Sequence, residues 1–503
     1  MTAERVRVVD GRWTAVALAA LSVGAALTGS EGPSFVVLVM LVLLGTAYAA
    51  YHWPRATIVA AALTTLLDPA VAARILPEAV SAGPIGISEP LLAVAGVTAI
   101  ATSIRRRGMS VALRDPTLAL VALFIGVSVV SAVINETPPL VAVFGIVMTV
   151  DAIAIFFVWR LLQPTGEDGG RAIAAIVAAG VAVAAFGIGQ VIFAPNLFGY
   201  ARVASLPDDV GRITSFLGNP NIVASVLGFV LPFPLFAVVG LHRRRIRWLA
   251  VAAAFVIIVA LGLTFSRGAW IATATGLVVG SLLINWRTLA VTVVLTAAAV
   301  GAMMVMPTHI GVAANVLTTP APSQQQPSPP ATPPTPAPDP LRGLTSGEVR
   351  VYWLQNGIKI IREHPVLGVG PGRYGGAVAR IIPSPVYEEY ATTLGRLRTV
   401  HNFWLHLGGE VGIVGLAIFL SAVAALVIRF IRAARKAGGG GTRFVLLAGS
   451  ATAAIVVGIN NATEMLFEGN IPAVLIWLVL GVASMLAPDW RLGLLPTRRR
   501  LEQ

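Results

Sequence analysis

The sequence predicts an all-α, polytopic membrane protein, and three observations carry that expectation. Hydrophobic residues make up 56 % of the 503-residue chain and charged residues only 12 %, where soluble domains carry roughly a quarter charged. Mean hydropathy is +0.82. The apolar residues also fall into runs of about 20, the length needed to cross ~30 Å of hydrocarbon. There is too little charge to coat several soluble domains. Disorder, a coiled coil and a secreted disulfide scaffold are excluded as whole-chain descriptions. Cysteine is absent, which removes disulfides, thiolate nucleophiles and Cys-ligated metals.

In chain order the runs fall at 13–30, 34–51, 55–75, 88–104, 116–134, 138–161, 172–194, 219–241, 248–265, 268–285, 288–306, 403–429, 443–463 and 470–487. The first is short and reads as an uncleaved anchor. The third is weak because Asp68-Pro69 interrupts it. Merging or re-entry of one or two N-terminal runs brings the expectation to about 12–14 transmembrane helices. The organisation that follows is an N-terminal bundle over 1–306, a long loop over 307–402, three further spans over 403–487 and a basic tail over 488–503.

Charge sets the expected orientation. With the N-terminus in the cytoplasm, two thirds of the 36 lysines and arginines fall in inside segments, as the positive-inside rule requires. They include Arg105–Arg107, Arg243–Arg245, Arg247, Arg429, Arg432, Arg435 and Arg498–Arg500. Both termini are then cytoplasmic and the long loop is extracytoplasmic, in a multi-pass protein of the cytoplasmic membrane. The net charge of +13 reads as topology and attraction to anionic membrane lipids, with no nucleic-acid partner.

The long loop has two parts. Residues 320–340 are proline-rich and nearly uncharged, an extended flexible insertion that cannot pack a core. Residues 345–363 read as an amphipathic helix. Thr345 and Glu348 have capping-box spacing. Leu354, Gly357, Ile358 and Ile361 share one face, and the pattern stops at His364-Pro365, since a residue before proline disfavours the α conformation.

Lipid makes no demand for His, Arg or Glu, so polar residues clustered at one membrane face mark candidate chemistry. Three segments reach the outer boundary in this topology. Gly211–Asn221 contains Arg212, Asn219 and Asn221. Its bland reading is an Asn-capped turn with a snorkelling arginine. Phe265-Ser266-Arg267-Gly268 is a tight turn between two spans. The stretch from His401 and Asn402 through His406 to Glu410 enters the membrane at the end of the long loop. His401 and His406 are five apart, which is not the spacing of two metal ligands on one helix face. Gly408, Gly409, Gly412 and Gly415 are expected to let another helix approach closely.

Two guanidiniums can hold a diphosphate through bidentate hydrogen bonds. An imidazole accepts a proton from a hydroxyl near neutral pH. Cationic stabilisation of a leaving diphosphate can replace a divalent metal. Arg212, Arg267 and His401 at one boundary therefore suit group transfer from a lipid-linked donor, with no metal and no cofactor expected.

The chain also resembles a known family. Arg350-x-x-Trp353, the run His364-Pro-Val-Leu-Gly-Val-Gly-Pro-Gly372, and His401-Asn402 followed by nine residues and Gly412-x-x-Gly415 look like the O-antigen ligase and O-antigen polymerase superfamily, the Wzy-C type. The Gly-Asn-Pro-Asn and Ser-Arg-Gly segments match its pattern too. The resemblance is strong over 205–285 and 345–420 and only one of general hydropathy over 1–200. It implies a GT-C-type membrane glycosyltransferase that moves a glycan from a polyprenyl diphosphate donor to an acceptor on the outer side. It further implies that Arg212 and Arg267 bind the diphosphate and that His401 activates the acceptor. Arg350 would serve donor binding or loop organisation, with Asn219, Asn221 and Asn402 in the substrate-binding set. Glu410 is a second base candidate or an orienting residue.

The expected function is a metal-independent, inverting transfer to a glycan, lipid or protein hydroxyl. The residues leave open which acceptor is used, and whether the protein is a ligase or a polymerase. A transporter or lipid-linked glycan flippase is the alternative from another class. It accounts equally well for many spans and for a basic cytoplasmic face. An inactive scaffold is a third reading.

Overall fold

The computed structural model describes residues 33–69, 88–105, 115–193, 212–305, 346–375, 401–467 and 471–487. The expected first span 13–30, the proline-rich tract 320–340 and the basic tail 488–503 lie outside the described residues. Among those described, every regular element is helical. They are α1 (Pro33–His52), α2 (Pro54–Thr64), α3 (Ser88–Arg105), α4 (Pro116–Ile134), α5 (Pro139–Leu161), α6 (Gly166–Phe193), α7 (Pro220–Val230), α8 (Pro232–Gly240), α9 (Arg244–Leu263), α10 (Arg267–Ile284), α11 (Arg287–Val305), α12 (Ser346–Glu363), α13 (Phe403–Lys436), α14 (Gly441–Asn460) and α15 (Ile471–Leu486). Among the described residues, eight apolar stretches are long enough to cross a membrane and five shorter apolar helices accompany them. The protein is an all-α, multi-pass membrane protein.

The weak third run behaves as Asp68-Pro69 demands. Helix α2 gives way to a 3₁₀ turn over Thr65–Leu67, and Asp68 accepts a hydrogen bond from the Ser88 backbone N–H at 3.0 Å. The run 219–241 is two consecutive helices, α7 and α8. Pro232 and Pro234 cannot donate to the ladder, and the Leu235 N–H reaches the Leu231 carbonyl only at 3.4 Å. Most residues of this span are buried, which places it at the centre of the bundle. Helix α14 packs beside it and against α10. Gly276 and Gly280 of α10 admit Val456 and Thr452 of α14 so closely that a Cβ at either glycine would overlap them. This is small-residue packing of the kind that substitutes for a hydrophobic driving force in lipid.

One end of the bundle is tied by charge. Asp115 caps α4 by accepting from the Thr117 N–H at 2.9 Å. Its Oδ2 lies 3.0 Å from Arg160 of α5 and 3.1 Å from Arg429 of α13. Arg160 also donates to Ser484 Oγ at 2.9 Å, and Arg429 donates to the Ser484 and Ala487 carbonyls at 2.9 Å. All three charged residues are buried. Burial pushes the Asp115 carboxyl up, but Arg160, the Thr117 hydrogen bonds and Arg429 together hold it below the ordinary carboxylate value. The cluster joins four helices at the arginine-rich end.

The opposite end carries an unexpected interlock. Helix α13 is broken at Gly412, with φ 68° and ψ −175°, so Phe403–Val411 forms a separate short arm. The segment after α12 threads into the break. Val369 and Gly370 donate to the Gly409 and Glu410 carbonyls at 2.9 Å, and Ile413 donates to the Pro365 carbonyl at 2.8 Å. Ser131 of α4 donates to the Leu367 carbonyl at 2.6 Å. Two of the four glycines therefore do more than the expected admission of another helix. Gly408 does take a helix, since its Cβ would lie 2.9 Å from Ile361 of α12. Gly409 makes room for Tyr374, and Gly412 for the backbone of Val366 and Leu367. A lone backbone strand fits there because its polar groups find partners in the broken ladder, which is the condition for irregular chain at membrane depth.

Candidate functional site

The segment Arg212–Leu217 is strapped onto the turn between α9 and α10. The Ile213 N–H donates to the Leu263 carbonyl at 3.1 Å, and Arg212 Nε donates to the Thr264 carbonyl at 2.9 Å. Arg212 Nη2 donates to Asn221 Oδ1 at 3.0 Å. Asn219 is the N-cap of α7 and accepts from the Asn221 N–H at 2.8 Å. Asn219 thus fixes the helix start that presents Asn221 to the arginine. Arg267 opens α10 as its first residue and is exposed. Thr264, bound by Arg212, lies three residues before it.

His401 precedes the α13 arm, and Asn402 caps that arm by accepting from the Leu405 N–H at 3.1 Å. The His401 backbone has φ 44°, a left-handed conformation uncommon for a non-glycine residue. The chain is held there from the far side, because the Phe403 N–H donates to the Asn461 carbonyl at 2.8 Å and to the Glu464 carbonyl at 3.2 Å. The His401 imidazole stacks on Trp353 of α12, with ring centroids 4.6 Å apart and planes at 29°. Its Nδ1 lies 3.7 Å from Glu464 Oε2, and the His401 side chain is 32 % exposed. One face is thus covered and one nitrogen faces a carboxylate just beyond hydrogen-bond distance, while an edge stays open.

The connection 460–464 after α14 joins the three segments. Asn460 Nδ2 donates to Ser225 Oγ at 2.9 Å, and Ser225 in turn donates to the Asn221 carbonyl at 2.7 Å. A Cβ at Gly268 would sit 2.7 Å from Thr463 Oγ1, so the α10 start presses on this connection. Glu464 faces His401. Arg212, Arg267 and His401 are therefore held by elements that all contact one short stretch of chain. Ser215, Phe265 and His401, one in each segment, all have positive φ at non-glycine positions. Such strain persists only where surrounding structure enforces it, and it gathers at functional sites.

Two expected residues sit elsewhere. Arg350 is exposed on α12, one turn before Trp353. Glu410 is 2 % exposed within the arm. Its Oε1 accepts from the Tyr374 N–H at 3.2 Å and lies 3.7 Å from His406 Nε2. This surrounds Glu410 with the interlock and not with His401. Sequence reasoning missed Glu464, Asn460 and the stacking of Trp353. In the sequence Asn460 and Asn461 are no more than polarity near the end of the run 443–463, and nothing local distinguishes Glu464.

Residues 252–420 match the model of a family described as Wzy_C, O-antigen ligase. The match begins in α9 and ends in α13, so it contains Arg267, Arg350, His401 and Glu410 and leaves out Arg212, Asn219 and Asn221. The comparison with curated proteins gives no match. Over residues 252–420, about a third of its length, this multi-pass membrane protein is similar to the O-antigen ligase family.

Proposed function

We propose that the protein transfers a glycan from a polyprenyl diphosphate carrier to an acceptor hydroxyl at the extracytoplasmic face of the cytoplasmic membrane, without a metal and with inversion. The observation that carries this reading is the convergence of the three segments on the 460–464 connection. His401 takes the acceptor proton on Nε2 while Glu464 faces Nδ1, and so fixes the ring and stabilises the imidazolium that forms. The acceptor oxygen attacks the anomeric carbon, and the bond from that carbon to the diphosphate oxygen breaks. The diphosphate leaves with the electron pair and is neutralised by Arg212 and Arg267. Asn221 orients Arg212, Asn219 and Asn402 fix the two helix starts, and Arg350 contributes to binding from α12. The burial of Glu410 favours its orienting role over that of base. The transporter alternative needs a polar midplane site. Asp151, an acid deep in the α5 span, is exposed on its surface, and Glu410 of α13 is enclosed by the interlock, so neither supplies one.

The test uses purified protein in liposomes with radiolabelled polyprenyl-diphosphate glycan, candidate glycan, lipid and protein acceptors, and EDTA. Transfer should survive chelation, give an inverted anomeric linkage, and disappear in His401→Ala and Arg267→Ala. A retained anomeric configuration, or unchanged transfer in both variants, overturns the scheme.

A further inference from the structure

Helix α12 buries Trp353, Gly357 and Ile360 toward the α13 arm. Gly357 makes this possible, since a Cβ there would already press on Leu405 at 3.1 Å. Trp353 is 6 % exposed and its ring lies against His401. Its indole N–H is shut away from solvent without a hydrogen-bond partner, and so is the side-chain amide nitrogen of Asn356, almost one turn further along the same helix. A buried donor without an acceptor costs about 1–3 kcal/mol, and what sets the Trp353 indole apart from the other such groups among the described residues is its stacking on His401. Trp353 lies against the half-exposed imidazole and Asn356 follows it almost one turn along the same helix, so the two donors form a set that a ligand completes.

Their chemistry narrows the ligand. Both are neutral donors and call for an oxygen, from a sugar hydroxyl or from a phosphate. A diphosphate finds its cations at Arg212 and Arg267, whereas the buried face made by Trp353, Gly357 and Ile360 brings no charge, and Arg350, one turn before Trp353, is exposed. The Asn356 amide also carries a carbonyl oxygen, an acceptor that a hydroxyl can use and an ionised phosphate cannot. We infer that Trp353 Nε1 and Asn356 Nδ2 bind hydroxyl oxygens of the acceptor sugar, beside the hydroxyl that His401 deprotonates. Helix α12 is then the acceptor-recognition element. This rests on the reading of His401 as the base that activates the acceptor. A site built to hydrogen-bond hydroxyls discriminates strongly against sugars that lack them.

The experiment is ¹⁵N-indole spectroscopy of the full chain in nanodiscs. The chain has ten tryptophans, and Trp353→Phe identifies the relevant resonance. A panel of methyl hexosides and methyl N-acetylhexosaminides is titrated, with inorganic pyrophosphate in parallel. At least one glycoside should shift the Trp353 resonance saturably, pyrophosphate should not, and Asn356→Ala should weaken the binding on the order of tenfold, the loss of one hydrogen bond. A resonance that no glycoside moves overturns the inference. One that pyrophosphate moves assigns the donors to the lipid-linked substrate and overturns it equally. In the transfer assay, Trp353→Phe and Asn356→Ala should each raise the acceptor KM about tenfold while moving the donor KM and kcat far less. Wild-type protein that transfers nothing defeats the proposed function, and the spectra still read the sugar subsite. Wild-type transfer with unchanged acceptor KM in both variants defeats the subsite alone.

Discussion

Gly412→Ala is the sharpest test of the interlock. The backbone there, at φ 68° and ψ −175°, lies in a region open essentially to glycine alone, and another residue held in such a sparsely populated region costs about 1–3 kcal/mol. An alanine Cβ would lie 2.5 Å from the Leu367 nitrogen and closer still to the Val366 carbonyl, against 3.4 Å for ordinary contact. The obstacle is backbone, so no side chain can rotate away. The strand must retreat by on the order of an ångström in an interior packed as tightly as a crystal. That movement breaks the bonds from Ile413 and Val414 to the Pro365 and Val366 carbonyls, at about 1 kcal/mol each. The expected loss is about 3–5 kcal/mol. It should appear as a lowered thermal midpoint in a fixed detergent, with a fall in transfer rate because α12 and the arm carrying His401 are joined there. Gly126→Ala is the control. Its Cβ would meet nothing within 4 Å, and helix propensity favours alanine by up to ~1 kcal/mol. A Gly412→Ala protein that unfolds with the wild type and transfers at the wild-type rate would refute the reasoning.

Asp115→Asn leaves Arg160 and Arg429 buried without their carboxylate and should cost about 3–5 kcal/mol, read as the thermal midpoint at neutral pH. The folded carboxyl titrates below the ordinary value of 3.8. Its stabilisation is therefore present above that value and lost as pH falls below it. Acid titration of stability should show this component in the wild type and lack it in the variant. Glu464→Gln keeps the shape beside His401 but removes the charge that stabilises imidazolium. Transfer should fall on the order of 10²-fold or more, in the range of general-base contributions, with donor binding retained; equal rates in a transfer assay would remove Glu464 from the mechanism. Arg267→Lys preserves charge and loses the planar fork, so transfer should stay on the order of tenfold or more below wild type. Full rescue by lysine would show that only the point charge matters there.

Much of this was legible in the sequence because the relevant physics is local. Hydropathy over about 20 residues marks a span wherever it folds, and His364-Pro365 ends α12 by steric exclusion within two residues. Gly-Asn-Pro-Asn announces a capped helix start, and Asn219 provides it. His401 and Arg267 stood out because lipid gives such residues no place without a reason, and Arg350 stood out through the family resemblance alone. Tertiary structure alone decided the rest. Glu464 meets His401 only because α14 returns to the end of the bundle where the α13 arm begins, and no local pattern encodes that meeting. The role of Gly412 needed the Val366 backbone, 46 positions earlier in the chain, to appear beside it. Asp115 at a helix cap reads as ordinary until Arg160 and Arg429 arrive from two other helices. Periodicity, caps and hydropathy are properties of neighbours along the chain. A catalytic constellation is a property of neighbours in space, and in a helical bundle those are set by which small residues let which helices touch.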